Sequence, residues 1–168
     1  THDLTLSVNV SAKQFRQPSF VSQVIMITQQ HDINPTRLKL ELTESLLLDN
    51  IEDTIAKMNA LAKVGIQFSL DDFGTGYSSL QYLKRLPLYQ LKIDKSFVDD
   101  LVTDSNDEVI VRTIIAMAHS LGLSVIAEGV ETKEQQKCLL AEGCTHYQGY
   151  LYSKPVPLDR FEALINKG

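Results

Sequence analysis

Leu38-Lys39-Leu40-Glu41-Leu42-Thr43 and its counterpart Ile66-Gln67-Phe68-Ser69-Leu70-Asp71-Asp72 are the stretches that decide how this chain folds. Apolar and polar residues alternate in both, and a repeat of two is the signature of a strand with two unlike faces. Leu38, Leu40 and Leu42 share one face, and Lys39, Glu41 and Thr43 share the other. Ile66, Phe68 and Leu70 likewise oppose Gln67, Ser69 and Asp71, with Asp72 placed where strand gives way to loop. The polar face is expected to point inward and to carry Glu41 with it.

Working outward, the same pattern recurs. Leu4 to Val10 alternates as a strand, and Ser19 to Gln30 carries apolar residues at helical spacing. Ile51 to Val64 reads as a helix opened by the cap-like pair Asn50 and Asp53 and closed by Gly65. A helix over Ser78 to Arg85 stops before Pro87, and Gln90 to Ile93 forms the next strand. The helix from about Asp107 to Leu121 is given a capping box by Ser105 and Glu108, and the one after strand Ser124 to Ala127 by Thr132 and Gln135, ending at Gly143. A last strand, Tyr147 to Tyr152, precedes a helix from Leu158. Six strands alternating with six helices predict an α/β fold with a parallel sheet, either open and doubly wound or closed as a barrel. Linkers are short, so residues 1–168 read as one domain.

The polar residues separate these architectures. Asn9, Glu41, Asp71 with Asp72, Lys92, Glu128 and Gln148 fall near the C-terminal ends of successive strands. An open sheet binds ligand in the crevice where strand order reverses and needs such groups on only some strands. A barrel brings every strand end to one mouth. The chain is therefore expected to be a TIM-type (β/α)8 barrel in partial form, with about six of the eight strands.

Composition narrows the function. The 168 residues are 43% hydrophobic and 22% charged, with a formal charge of -5. No run of Lys or Arg forms a stripe able to neutralise a duplex backbone, so duplex nucleic acid is not expected as a partner. Apolar runs fall far short of the roughly 20 residues that cross a bilayer, so this segment is not expected to enter a membrane. Cys138 and Cys144 read as reduced thiols in a cytoplasmic setting. They could bind zinc with His146, but a fourth ligand and familiar spacing are missing.

Adjacent carboxylates such as Asp71 and Asp72 repel unless a positive charge lies between them. Hard divalent cations supply that charge and prefer carboxylate, amide oxygen and water, which Asn9, Glu41, Asp71 and Asp72 offer. Two such metals can generate a hydroxide nucleophile and clamp an in-line displacement at phosphorus. Taken one at a time, each residue has a plainer reading. Glu41 can belong to an amphipathic surface strand, the aspartates to a solvated helix entry, and Glu128 to a helix start near Gly129. Lys92 can pair with Asp94 at a strand end, or in an acidic mouth hold the attacking water or offset charge on a phosphate oxygen. Glu128 can be general base toward that water. The Gly74 to Gly76 loop could cradle phosphate, although a loop hinge is the commoner explanation.

The segments SVNVSAKQF (7–15), LELTES (40–45), DDFGTGYSSLQYL (71–83), LKIDKSFV (91–98), VIAEGVET (125–132) and YQGYLYSKP (147–155), in this order, resemble the EAL-domain cyclic-di-GMP phosphodiesterases. The resemblance implies a modified TIM barrel that hydrolyses the bacterial second messenger cyclic di-GMP to linear pGpG with two Mg2+ or Mn2+ ions. Asn9, Glu41, Asp71 and Asp72 match metal ligands. Lys92 matches the lysine near the attacking water, Glu128 the proposed base, and Gln148 the last polar position of the site. Glu44 matches the glutamate anchoring the Gly74 to Ser79 loop, which links homodimerisation to activity, and Glu131 an acid of the same motif region. The family carries two strands ahead of the one with Asn9, and the second bears the Glu-Ala-Leu signature. Without them this chain alone is expected to lack one metal ligand and part of the substrate pocket. Upstream, the resemblance implies a sensory or GGDEF-type domain and, in the parent protein, the option of a membrane anchor. The competing readings are a non-catalytic receptor for cyclic di-GMP and a regulatory or oligomerisation wall.

Overall fold

A computed structural model describes residues 4–44, 46, 50–74 and 80–165. The described elements run β1 (Leu6–Asn9), α1 (Ala12–Phe15), α2 (Phe20–Gln30), a 3-10 turn (Pro35–Arg37), β2 (Leu38–Thr43), α3 (Ile51–Ala62), β3 (Gln67–Phe73) and α4 (Leu80–Leu83). They continue with β4 (Gln90–Ile93), α5 (Lys95–Asp99), α6 (Ser105–Ser120), β5 (Ser124–Ala127), α7 (Lys133–Ala141), β6 (His146–Tyr147) and α8 (Leu158–Ile165).

The six strands lie in the order β1-β2-β3-β4-β5-β6, and every neighbouring pair is parallel. Strand order never reverses, so the sheet has no switch point of the doubly wound kind. It is a half-barrel wall with helices on its outer side, as the distribution of polar strand ends predicts. Outward-facing Leu40, Leu42, Phe68 and Leu70 are buried in one core with Met58 and Leu61 of α3, while Val111, Ile115 and Ala118 of α6 are buried farther along it. Burying each such aliphatic or aromatic side chain contributes roughly 1.5–3 kcal/mol, which is what holds the layers together. The opposite face is polar, and Glu41, Ser69, Gln90 and Lys92 on it are buried. β1 and β6 are the two edges of the sheet, and on β1 Leu6 and Val8 are exposed.

Register sets the site. Asn9 lies opposite Glu41, Glu41 opposite Ser69, and Thr43 opposite Asp71. The register between β3 and β4 shifts between Leu70 and Phe73, and Asp72 adopts a left-handed backbone with φ 54°. β3 thus extends through Asp72 instead of ending before it. A bulge re-aims side chains, which lets two consecutive aspartates serve one site although a regular strand would send them to opposite faces.

Two local expectations change. Helix α6 is capped by Asp104, whose side chain accepts from the Asn106 amide at 2.8 Å, so the Ser105–Glu108 box does not form. A carboxylate suits this end of the helix dipole better than a hydroxyl. The Thr132–Gln135 box forms as expected, and a second box, Ser11–Gln14, opens α1. The last strand is only His146–Tyr147. Gln148 still donates its amide to Ala127 O at 2.8 Å, but the chain then turns at Gly149.

Candidate active site

Lys92 is the centre of the polar face. Its ammonium lies 2.6 Å from Glu41 Oε2, 3.0 Å from Asp71 Oδ1 and 2.7 Å from Glu128 Oε1, and its side chain is 4% exposed. Four neighbouring strands, β2 to β5, therefore meet at one cation. The Lys92–Asp94 pairing is not what the fold uses: Asp94 caps α5, accepting from the Ser96 amide at 2.9 Å. Burial works against the charge on Lys92. Hydrogen bonds to Glu128, Glu41 and Asp71 outweigh it and hold the ammonium well above the usual lysine range.

Asp71, Asp72 and Glu128 each offer a carboxylate oxygen, and these oxygens lie within 4.8 Å of one another. Among the described residues this is the one such cluster of acids, thiols or imidazoles. Burial raises the Asp72 carboxyl above its ordinary value, reinforced by the charge of Asp71 and by Asp94. Asp72 also hydrogen-bonds to Asp94. Burial pushes Asp94 up as well, but hydrogen bonds from Ser96 and Asp72 prevail and hold it low. Burial raises Glu128 too, against the pull of Lys92. Half-buried carboxylates so close together, some reluctant to ionise, fit a hard divalent cation in donor type and in their need for positive charge.

The other expected residues take defined places. Gln148 Nε2 donates to Glu128 Oε1, which fixes the carboxylate from the side opposite β4. Asn9 stands exposed at the end of β1, beside Glu41 in register. Glu44 is buried, and its Oε2 accepts from the Gly74 amide at 3.4 Å; residues 75–79 lie outside the described ones. Glu131 stands apart from the acid cluster, exposed and paired with Lys95 at 2.9 Å. Both line a cavity of about 590 Å³ that also reaches Gln148 and Tyr150. Sequence reasoning missed Lys95 and the cap formed by Asp94. The only signal was Asp-x-Ser at 94–96, a helix-entry pattern that announces α5 and so the direction of Lys95. Cys138 and Cys144 are free thiols.

A half-barrel wall that gathers acids from neighbouring strand ends is the kind of site an α/β-barrel enzyme carries. Residues 1–155 match the sequence model of the EAL domain, and the chain belongs to that family. The cyclic di-GMP phosphodiesterase NbdA of Pseudomonas aeruginosa is 44% identical over 162 residues, 96% of this chain and 21% of that protein. The bifunctional diguanylate cyclase/cyclic di-GMP phosphodiesterase MucR of the same organism is 42% identical over 163 residues, 97% of this chain and 24% of that protein. The MucR phosphodiesterase solved with c-di-GMP superposes with a TM-score of 0.90 over 94% of this chain and 64% of that one, at 42% identity. Klebsiella pneumoniae BlrP1, solved with manganese and cyclic di-GMP, gives 0.82 over 90% and 39%, at 29% identity. The chain thus spans about a quarter or less of these curated relatives. Among the described residues no helix is long and apolar enough to cross a membrane.

Proposed function

We propose that this chain carries most of the site of a phosphodiesterase that hydrolyses cyclic di-GMP to linear pGpG. The observation that carries the reading is the convergence of Asp71, Asp72 and Glu128 within 4.8 Å, beside the Lys92 ammonium. These three, with Glu41 and Asn9 on the adjoining strands, would hold divalent cations, Mg2+ or Mn2+. Such ions supply an acidified water and charge stabilisation at phosphorus. Lys92 orients that water and offsets charge on a phosphate oxygen, while Glu128, steadied by Gln148, accepts the water's proton. Water oxygen bonds to phosphorus, the bond from phosphorus to the 3′ oxygen breaks, and that oxygen takes a proton from solvent and leaves as a hydroxyl. Homodimerisation through the loop beginning at Gly74, and an upstream sensory or GGDEF-type domain, belong to the same reading.

The test is chromatography of cyclic di-GMP incubated with Mn2+ and either these 168 residues or a form extended upstream to the complete domain. The reading expects pGpG from the extended form and little from the shorter one. Titration heat without pGpG in the extended form would make the protein a receptor and overturn the hydrolase reading.

A further inference from the structure

The turn that carries Glu128 is held by Lys95, the first residue of α5. Glu128 donates its amide to Ile93 O at 3.1 Å, and Val130 donates to Gln148 O at 3.1 Å, which leaves the peptide around Gly129 between two anchors. Gly129 has φ +71°, and a Cβ placed there would stand 2.4 Å from Lys95 Cγ, 2.7 Å from Cδ and 2.9 Å from Cβ. The base of the Lys95 side chain therefore lies directly on this glycine. Its ammonium then reaches Glu131 Oε1 at 2.9 Å, at the far end of the same turn. A second tie runs parallel: Gln135 Oε1 accepts from the Glu131 amide at 2.8 Å, and Gln135 Nε2 donates to Val98 O of α5 at 3.0 Å.

The Lys95 and Glu131 side chains are 50% and 43% exposed, and an ion pair so open to water adds little to stability. Its consequence is geometric. We propose that Lys95 is a positioning residue for Glu128, lying across Gly129 and strapping Glu131 so that the 128–131 turn presents its carboxylate to Asp71, Asp72 and Lys92. This rests on the hydrolase reading above, with Lys95 acting through the turn and not on the reacting atoms.

Lys95→Ala and Lys95→Arg in the complete domain test it. Lys95→Ala is expected to lower kcat about tenfold, since small misplacements of a catalytic group cost one to two orders of magnitude, with KM and Tm little changed. Its Mn2+ affinity by calorimetry should fall as well, and Lys95→Arg should restore both. Lys95→Ala with wild-type kcat and Mn2+ affinity overturns the proposal, as does a loss that Arg does not recover. If the wild-type domain makes no pGpG, the hydrolase reading fails by itself, and the Mn2+ affinities alone then decide the role of Lys95.

Discussion

Lys92 Nζ stands 2.7 Å from Glu128 Oε1 although Lys92 lies opposite Ile126 in the β4–β5 register. Glu128, two residues further along, leans back over the strand end to reach it. Such an approach desolvates both groups, so their attraction must offset that cost. The same ammonium also pairs with Glu41 and Asp71, so one cation faces three carboxylates and the cluster keeps an excess of negative charge.

Removing that cation leaves three carboxylates facing one another. Lys92→Met keeps the stem and deletes the charge, and breaking a buried ion pair from one side costs about 3–5 kcal/mol. For a chain of this size each kcal/mol moves Tm by about 2–4 °C, so metal-free Tm should fall by roughly 10 °C. Mn2+ should restore part of the loss by supplying the missing positive charge. Thermal melts with and without Mn2+ measure this, and a metal-free Tm equal to wild type would contradict the account.

Acid should weaken metal binding earlier than for ordinary carboxylates. Burial holds Glu128 above 4.5 and Asp72 above 3.8, so each keeps its proton to a higher pH than usual. A cation binds the deprotonated form and competes with that proton. In the metal-free protein the sign is opposite to that of an ordinary ion-paired acid. A raised folded pKa contributes stability in the protonated state, and this is lost as pH rises through the folded value. Calorimetric Mn2+ titrations from about pH 8 down to about pH 5 should show affinity already falling before the usual carboxylate range. A flat profile down to that range would count against the raised values.

The sequence already held much of this. The alternation in Leu38–Thr43 and Gln67–Asp71 located two strands and their inward faces, because a residue's face on a strand depends only on parity. Polar residues at successive strand ends separated barrel from open sheet, and the observed order without reversal agrees. What parity could not supply was the bulge at Asp71–Asp72, since a shift in register depends on the neighbouring strand. Nor could periodicity find α1 or α5, helices of four and five residues that complete scarcely more than one turn. Missing α5 meant missing Lys95. Tyr147–Tyr152 read as a strand because its composition suits one. The close crossing of Gly149 over Val130, a tertiary contact, ends it instead.

That crossing makes the last prediction. A Cβ on Gly149 would lie 2.2 Å from Val130 O and 2.4 Å from Val130 N, backbone atoms that cannot swing aside as a side chain would. Val130 donates to Gln148 O and accepts from the Leu151 amide at 3.0 Å, so pushing the two segments apart breaks both bonds and draws Gln148 away from Glu128. Gly149→Ala should therefore cost about 1–3 kcal/mol from overpacking, with the lost hydrogen bonds added, and should lower hydrolysis by the complete domain. Gly122→Ala separates sterics from backbone strain: Gly122 has φ +71°, but nothing lies within 4 Å of its would-be Cβ. It should lose only about 1–2 kcal/mol for the left-handed backbone and leave hydrolysis intact. If urea melts show Gly122→Ala to be as damaging as Gly149→Ala, or if Gly149→Ala hydrolyses at the wild-type rate, the crossing does not hold Gln148 in place.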